Sequence, residues 1–319
     1  MCTRRRETLW VLGVFVVGLA VVGGSATALG IPASVFRPPP GLGPVDITIV
    51  YDDSSFNPNV PAGAWNDLSI LIESGGRMVL FDCGDDPVRL LANLRLLGKD
   101  PRRLDAVVID HLELGHWRGL PALLALKPDL RVFLPAPLTP EAMPGGARPP
   151  VNAVVATGPV EVVPGIITTG LMPSGSGVTA QSLVVQTPHG PVLVGGCGTE
   201  DWVFLARRVA VMTGIPPLLA MNLCVGDEQK LGGARQRETA ALRGLGVTYV
   251  ALAHCSAHEG PARKGFEEVW GPACLHVGTG ALIRFTPEAG IPAVVQAPVV
   301  AARDAAQGPT PPARVAPPA

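Results

Sequence analysis

Asp110-His111-Leu112-Glu113-Leu114-Gly115-His116-Trp117 is the stretch on which the reading of this chain turns. It follows Leu104-Asp105-Ala106-Val107-Val108-Ile109, an apolar run with the length and β-branched content of a buried strand. It precedes Gly119-Leu120-Pro121-Ala122-Leu123-Leu124-Ala125-Leu126, which reads as a helix. A strand end therefore delivers two histidines and a carboxylate into one short turn. In α/β folds ligands bind in the crevice beyond the carboxyl ends of strands, so chemistry is expected here.

Working outward, residues 46–51, 68–73 and 78–82 are strand-like, and Ser74-Gly75-Gly76-Arg77 between the last two is a hairpin signal. Pro87 to Leu97 carries leucines at helical spacing and stops at Gly98. Arg131-Val132-Phe133-Leu134 is a further short strand, so the first half reads as a mostly hairpin-connected sheet with helices on one side. The same grammar recurs from Val151. Strands at 154–155, 160–163 and 166–169 lead to a hairpin of 182–187 with 192–194, then a helix from Trp202 to Met212. Strands at 218–221 and 247–252 flank a polar helix around Arg235 to Leu245, and Gly260 to Val269 is a last helix. Two similar halves predict two facing sheets with helices outside.

The ends are of different character. Met1 to Arg6 holds three consecutive arginines and Leu9 to Val22 is uninterruptedly apolar, which reads as an export signal or a membrane anchor over residues 1–31. Ala26-Thr27-Ala28 offers a cleavage site, yet the uncharged run from Leu9 to Ile31 is also long enough for a bilayer core of roughly 30 Å at about 1.5 Å per residue. Either topology places the main domain outside the cytoplasm, attached to the membrane if the segment is retained. Residues 32–44, with Pro38-Pro39-Pro40, read as a spacer, and 296–319 as a disordered Pro/Ala-rich tail, leaving a domain over 45–295. A composition that is 47% hydrophobic with a formal charge of −1 fits a globular domain and offers no basic face for nucleic acid.

His111-Leu112-Glu113-Leu114-Gly115-His116 resembles the His-x-His-x-Asp-His motif of metallo-β-lactamase-fold hydrolases. Thr48-Ile49-Val50-Tyr51-Asp52, Val79 to Asp86, Gln181-Ser182-Leu183, Gly196-Cys197 and His254-Cys255-Ser256 are similar, in order, to the branch that includes the dihydropterin ribofuranosyl-aminobenzene phosphate synthase-like proteins. The resemblance spans nearly all of the domain and implies a four-layer αββα sandwich. It also implies two metal half-sites. Carried over by position, the first falls on His111, Glu113 and Thr199, the second on Gly115, His116 and His254. A further family histidine falls on Asn222. Gly115 and Thr199 replace a carboxylate and an imidazole, so each half-site keeps two of three ligands, and a catalytic zinc generally takes three.

Two functions follow from different classes. One is a protein with a degenerate metal site and reduced or no hydrolytic activity, whose cleft binds a small molecule or a protein partner. The other is a metal-dependent hydrolase or synthase with an atypical mononuclear site on His111, Glu113, His116 and His254, holding one zinc, iron or manganese ion. The first is favoured, and a metal-free cluster of hydrogen-bonded histidines paired to Glu113 belongs with it. Asp82, an outer residue in the family, is expected to orient whichever ion or histidine is present. Cys83, Cys197 and Cys255 stand in turns around the same cleft as inert buried thiols, as a disulfide such as Cys197 with Cys255, or as soft ligands. Glu200-Asp201 is expected to cap the helix that follows, a replacement ligand beside Thr199 being the other reading.

Overall fold

The structure is a computed structural model and describes residues 36–63, 67–135, 150–172, 179–196, 201–223, 237–253, 261–289 and 292–300. The predicted signal or anchor, the loop at Ser174-Gly175-Ser176-Gly177, Cys197, Thr199, Glu200, Cys224, His254, Cys255, His258 and the tail from 301 lie outside the described residues. Among the described residues no helix is long and apolar enough to cross a membrane.

Two mixed sheets build the domain. The first holds β1 (Val45–Asp52), β2 (Leu68–Ser74), β3 (Arg77–Phe81), β4 (Ala106–Val108), β5 (Arg131–Pro135), β6 (Ala153–Ala156), β14 (Ala281–Phe285) and β15 (Ala293–Gln296), in the order β15-β14-β1-β2-β3-β4-β5-β6. The second holds β7 (Val160–Val163), β8 (Ile166–Thr168), β9 (Leu183–Thr187), β10 (Gly190–Val194), β11 (Leu219–Met221), β12 (Tyr249–Leu252) and β13 (Cys274–His276), in the order β13-β12-β11-β10-β9-β8-β7. The sheets share an apolar core that includes Ile47, Ile70, Phe81 and Phe133 from the first and Leu183, Val185, Val194 and Met221 from the second.

Each outer face carries helices. On the first sheet Leu71, Leu80 and Val107 pack with Leu90 and Leu94 of α1 (Pro87–Leu96) and Leu120 and Leu123 of α3 (Leu120–Leu126). On the second, Val184, Leu193 and Val250 pack with Trp202, Leu205 and Val209 of α4 (Trp202–Thr213), Leu242 of α5 (237–244) and Phe266 and Trp270 of α6 (Pro261–Trp270). Central strands covered on both faces are buried at almost every position, as β2 and β10 are, so their burial does not alternate.

Pairing departs from the sequence reading after each hairpin. The turn between β2 and β3 has Gly75 and Gly76 at φ +56° and +76°, the double left-handed geometry that a two-residue hairpin demands. From β3 onward, however, β3-β4-β5-β6 are parallel, and so are β10-β11-β12-β13. Between β3, β4 and β5, and between β10, β11, β12 and β13, helices act as crossovers, and a crossover returns the next strand in the same direction. The carboxyl ends of β3 and β4, and likewise those of β10 and β11, therefore lie side by side. Strands β13 to β15, absent from the sequence reading, complete the sheets; β14 pairs with β1 across more than two hundred residues of chain, a partnership that local pattern does not announce.

Caps follow the sequence more closely. Asp86 accepts from Val88 N and Arg89 N at the start of α1, and the chain leaves through Gly98 at φ +68°. Asp201 accepts from Phe204 N and caps α4. The linker and tail are packed where they are described: Phe36 is buried against the α4 layer and its carbonyl accepts from Gln186 Nε2, while Ala297 is buried and Val300 N donates to Leu96 O. These contacts tie Phe36, Ala297 and Val300 to the outer layers of the domain.

The junction of α2 (Leu114–Trp117) with α3 is a tight point near the motif. Gly119 N donates to Gly84 O, and a Cβ at Gly119 would lie 2.2 Å from Cys83 O. Gly119→Ala is expected to lower stability by about 1–3 kcal/mol through overpacking against backbone, read as a lower urea midpoint; an unchanged midpoint would show that this junction yields.

Candidate metal centre

Strand β4 ends at Val108, and the next residues turn out of the sheet into the crevice. Asp110 and His111 are buried there, and His116 is buried one short helix later. The sequence reading took residues 110–117 as a turn. The structure winds 114–117 into α2, which brings His116 back beside His111, with ring centroids 4.1 Å apart at 47°.

Asp82 holds this arrangement. It follows β3 with φ +60°, in the left-handed region that asparagine and aspartate tolerate better than other side chains. Its Oδ1 accepts from Asp110 N at 2.8 Å and its Oδ2 pairs with His116 Nδ1 at 2.7 Å. The neighbouring Cys83 N donates to His116 O at 2.6 Å. A second carboxylate–imidazole pair lies alongside, His111 Nδ1 with Asp110 Oδ2 at 2.8 Å. Gly196, after β10, packs directly on the Asp110 carboxylate, where a Cβ would lie 1.9 Å from its Cγ. One ligand atom from each of Asp110, His111 and His116 can be chosen so that all three lie within 4.8 Å of one another.

Burial raises the Asp82 carboxyl above the usual carboxylate range, with His116 opposing that shift. Burial works the other way on His111, but the Asp110 carboxylate outweighs it, joined by Glu113 and Asp82, and pushes the imidazole up to about 10. His111 is thus a cation at neutral pH while no other cation is present in the cleft.

Of the tetrad expected from sequence, His111 and His116 are adjacent. Glu113 lies at the rim with its side chain 62% exposed and Oε2 3.4 Å from His111 Nε2. His254 lies outside the described residues, as does Thr199. Gly115 sits within α2 and contributes no side chain. Asn222 closes β11 at φ +52°, and its Nδ2 donates to Gly195 O at 2.8 Å, so it braces the turn beside Gly196. Cys83 is a buried free thiol pushed well above its ordinary range by burial, then by Asp82, in keeping with the inert reading. Cys274 is free and buried; His189 Nε2 pairs with Thr286 O.

Asp110 was missed because the motif comparison begins at the first histidine. Its one sequence signal is an ionisable residue closing a buried apolar run, at a strand end where function is expected.

A family model described as the metallo-beta-lactamase superfamily matches residues 62–201. A 7,8-dihydropterin-6-methyl-4-(beta-D-ribofuranosyl)-aminobenzene-5'-phosphate synthase of Methanocaldococcus jannaschii is 22% identical over an alignment covering 75% of this chain and 95% of that protein. Among solved structures, Tm1679, a metal-dependent hydrolase of the beta-lactamase superfamily, matches with a TM-score of 0.56 at 21% identity, covering 76% of this chain and 99% of that one. The metallo-beta-lactamase fold protein YhfI from Bacillus subtilis matches with a TM-score of 0.53 at 16% identity, over 76% and 99% of the two chains. With two mixed sheets, helices on both outer faces and the histidine motif at the strand ends, the folded part of this chain has the fold of these two structures, and its residues 62–201 match the metallo-beta-lactamase superfamily model.

Proposed function

We propose that this protein is a metal-dependent hydrolase whose centre holds one divalent ion on Asp110, His111 and His116, with Glu113 at the rim. One observation carries the reading: three buried donors of the right types within 4.8 Å of one another. Three protein ligands with a position left open is the usual make-up of a catalytic zinc site, and His254 remains the candidate for a further ligand. The outer shell fits as well. His116 Nδ1 is committed to Asp82, which fixes the ring and leaves Nε2 to face an ion, as carboxylate–histidine pairs do behind metals.

An ion bound there supplies Lewis acidity toward a substrate oxygen and acidifies water. The chain's own residues do the rest. Asp82 and Asp110 hold the two rings in place, the surrounding core excludes bulk water, and Glu113, exposed beside His111, is positioned to take up and return a proton. The replacements at Gly115 and Thr199 argue for one ion rather than two, and the Asp110 carboxylate, five residues before Gly115, supplies an acidic donor in the same cleft. Sequence favoured a degenerate, inactive cleft; the buried carboxylate beside His111 tips the proposal toward an occupied site.

Elemental analysis of the purified full chain is expected to find one zinc, iron or manganese per molecule. His116→Ala should lose it, and Asp82→Asn should weaken metal binding roughly 10–100-fold with the fold intact by circular dichroism. Absence of metal from the parent protein after reconstitution, with no hydrolysis of ester or phosphodiester substrates, would leave the binding-module reading instead.

Metal uptake should also depend on pH in a defined direction. With His111 near 10, its proton is held at neutral pH and must leave when an ion binds. Affinity is therefore expected to rise steadily from pH 6 toward 9, with proton release detected by calorimetry in buffers of different ionisation enthalpy. Affinity independent of pH over that range would place His111 outside the ligand set.

A further inference from the structure

Gln181 is wholly buried at the meeting of the two sheets, just before β9. Its Nε2 donates to Ile109 O at 2.7 Å and to Phe133 O at 3.1 Å, both on the first sheet's side of the core, and its Oε1 accepts from Thr168 Oγ1. Its backbone N–H donates to Asp110 O at 3.0 Å. Both hydrogens of this amide are thus spent on carbonyls, one just past the end of β4 and one in the middle of β5. A buried amide is expensive unless so paired, and an apolar residue could fill the same volume without that cost.

The pairing converges on one residue. Asp110 N donates to Asp82 Oδ1 within the first sheet, while Asp110 O accepts from Gln181 on the second. Its peptide groups are consequently gripped from both halves of the fold, and the direction of its carboxylate, with that of His111 behind it, is set by both. On the reading of a one-ion centre given above, we infer that Gln181 is a positioning residue: it transmits the second sheet's placement to Asp110 and His111 and so fixes the spacing of the metal donors. His116 has a support that Gln181 does not touch, its Nδ1 pairing with Asp82 Oδ2, while Asp82 reaches Asp110 through the other oxygen. Loss of the Gln181 amide should therefore disturb His111 and spare His116, which a general loosening of the fold would not do.

Two variants of the full chain test this. Gln181→Glu keeps the volume but replaces two N–H donors by an acceptor facing two carbonyls. Thr168→Val removes the hydroxyl that orients the amide and changes little else in size. Zinc affinity is measured by competition with a chromophoric chelator, and the imidazole nitrogen–proton correlations of metal-free protein are recorded at fixed pH, alongside circular dichroism. Gln181→Glu is expected to weaken zinc roughly tenfold or more and to shift the His111 resonances while those of His116 stay in place, with Thr168→Val moving the same signals less. A folded Gln181→Glu with parental zinc affinity and an unmoved His111 would overturn the inference, as would His111 and His116 shifting equally. If the parent protein takes up no zinc, the one-ion reading fails and the metal-free His111 signal alone decides the role of Gln181. If Gln181→Glu does not fold, Thr168→Val decides by the same two readouts.

Discussion

A single buried carboxylate, Asp82, ties together the elements from which the site is made. Its side chain bonds the Asp110 amide on one side and the His116 ring on the other, so the strand end of β4 and the helix α2 are fixed to β3 by one group. The arrangement is costly. A non-glycine residue in the left-handed region gives up about 1 kcal/mol or more, and a buried acid is desolvated. Both costs are offset because each oxygen is paired, and because the left-handed turn is what aims the carboxylate across the mouth of the sheet instead of into the core.

Around it the fold supplies rigidity by close approach. Gly84 lies against the Tyr51 ring, Gly119 against the Cys83 carbonyl and Gly196 against the Asp110 carboxylate, each at distances that leave no room for a Cβ. These three glycines come from different turns, and each brings a backbone close to a group that flanks the motif. Backbone packed this closely cannot shift without displacing the side chains it touches, so the two carboxylate–imidazole pairs are held in one arrangement.

Two carboxylates lie beside the first histidine of the cleft, one buried and one exposed. Position 115 offers no carboxylate, and the motif's middle histidine is Glu113, which stays at the solvent rim. Asp110 places a negative charge under the His111 ring, where Gly196 makes space for it. An acid paired to the first histidine raises that ring's proton affinity.

The sequence by itself determined the layered class, the hairpin at Gly75-Gly76, the helix stop at Gly98, the cap at Asp201 and the placing of His111 and His116 at a strand end, because each is written in residues within a few positions of one another. It also pointed to Asp82 through resemblance. Only the tertiary structure decided which strands run parallel, that β14 closes on β1, that Asp110 faces His111 and that Gln181 reaches across the core to Ile109 and Phe133. Those depend on partners dozens to hundreds of residues apart, and a hydrogen bond between distant segments leaves no periodicity for a local reading to find.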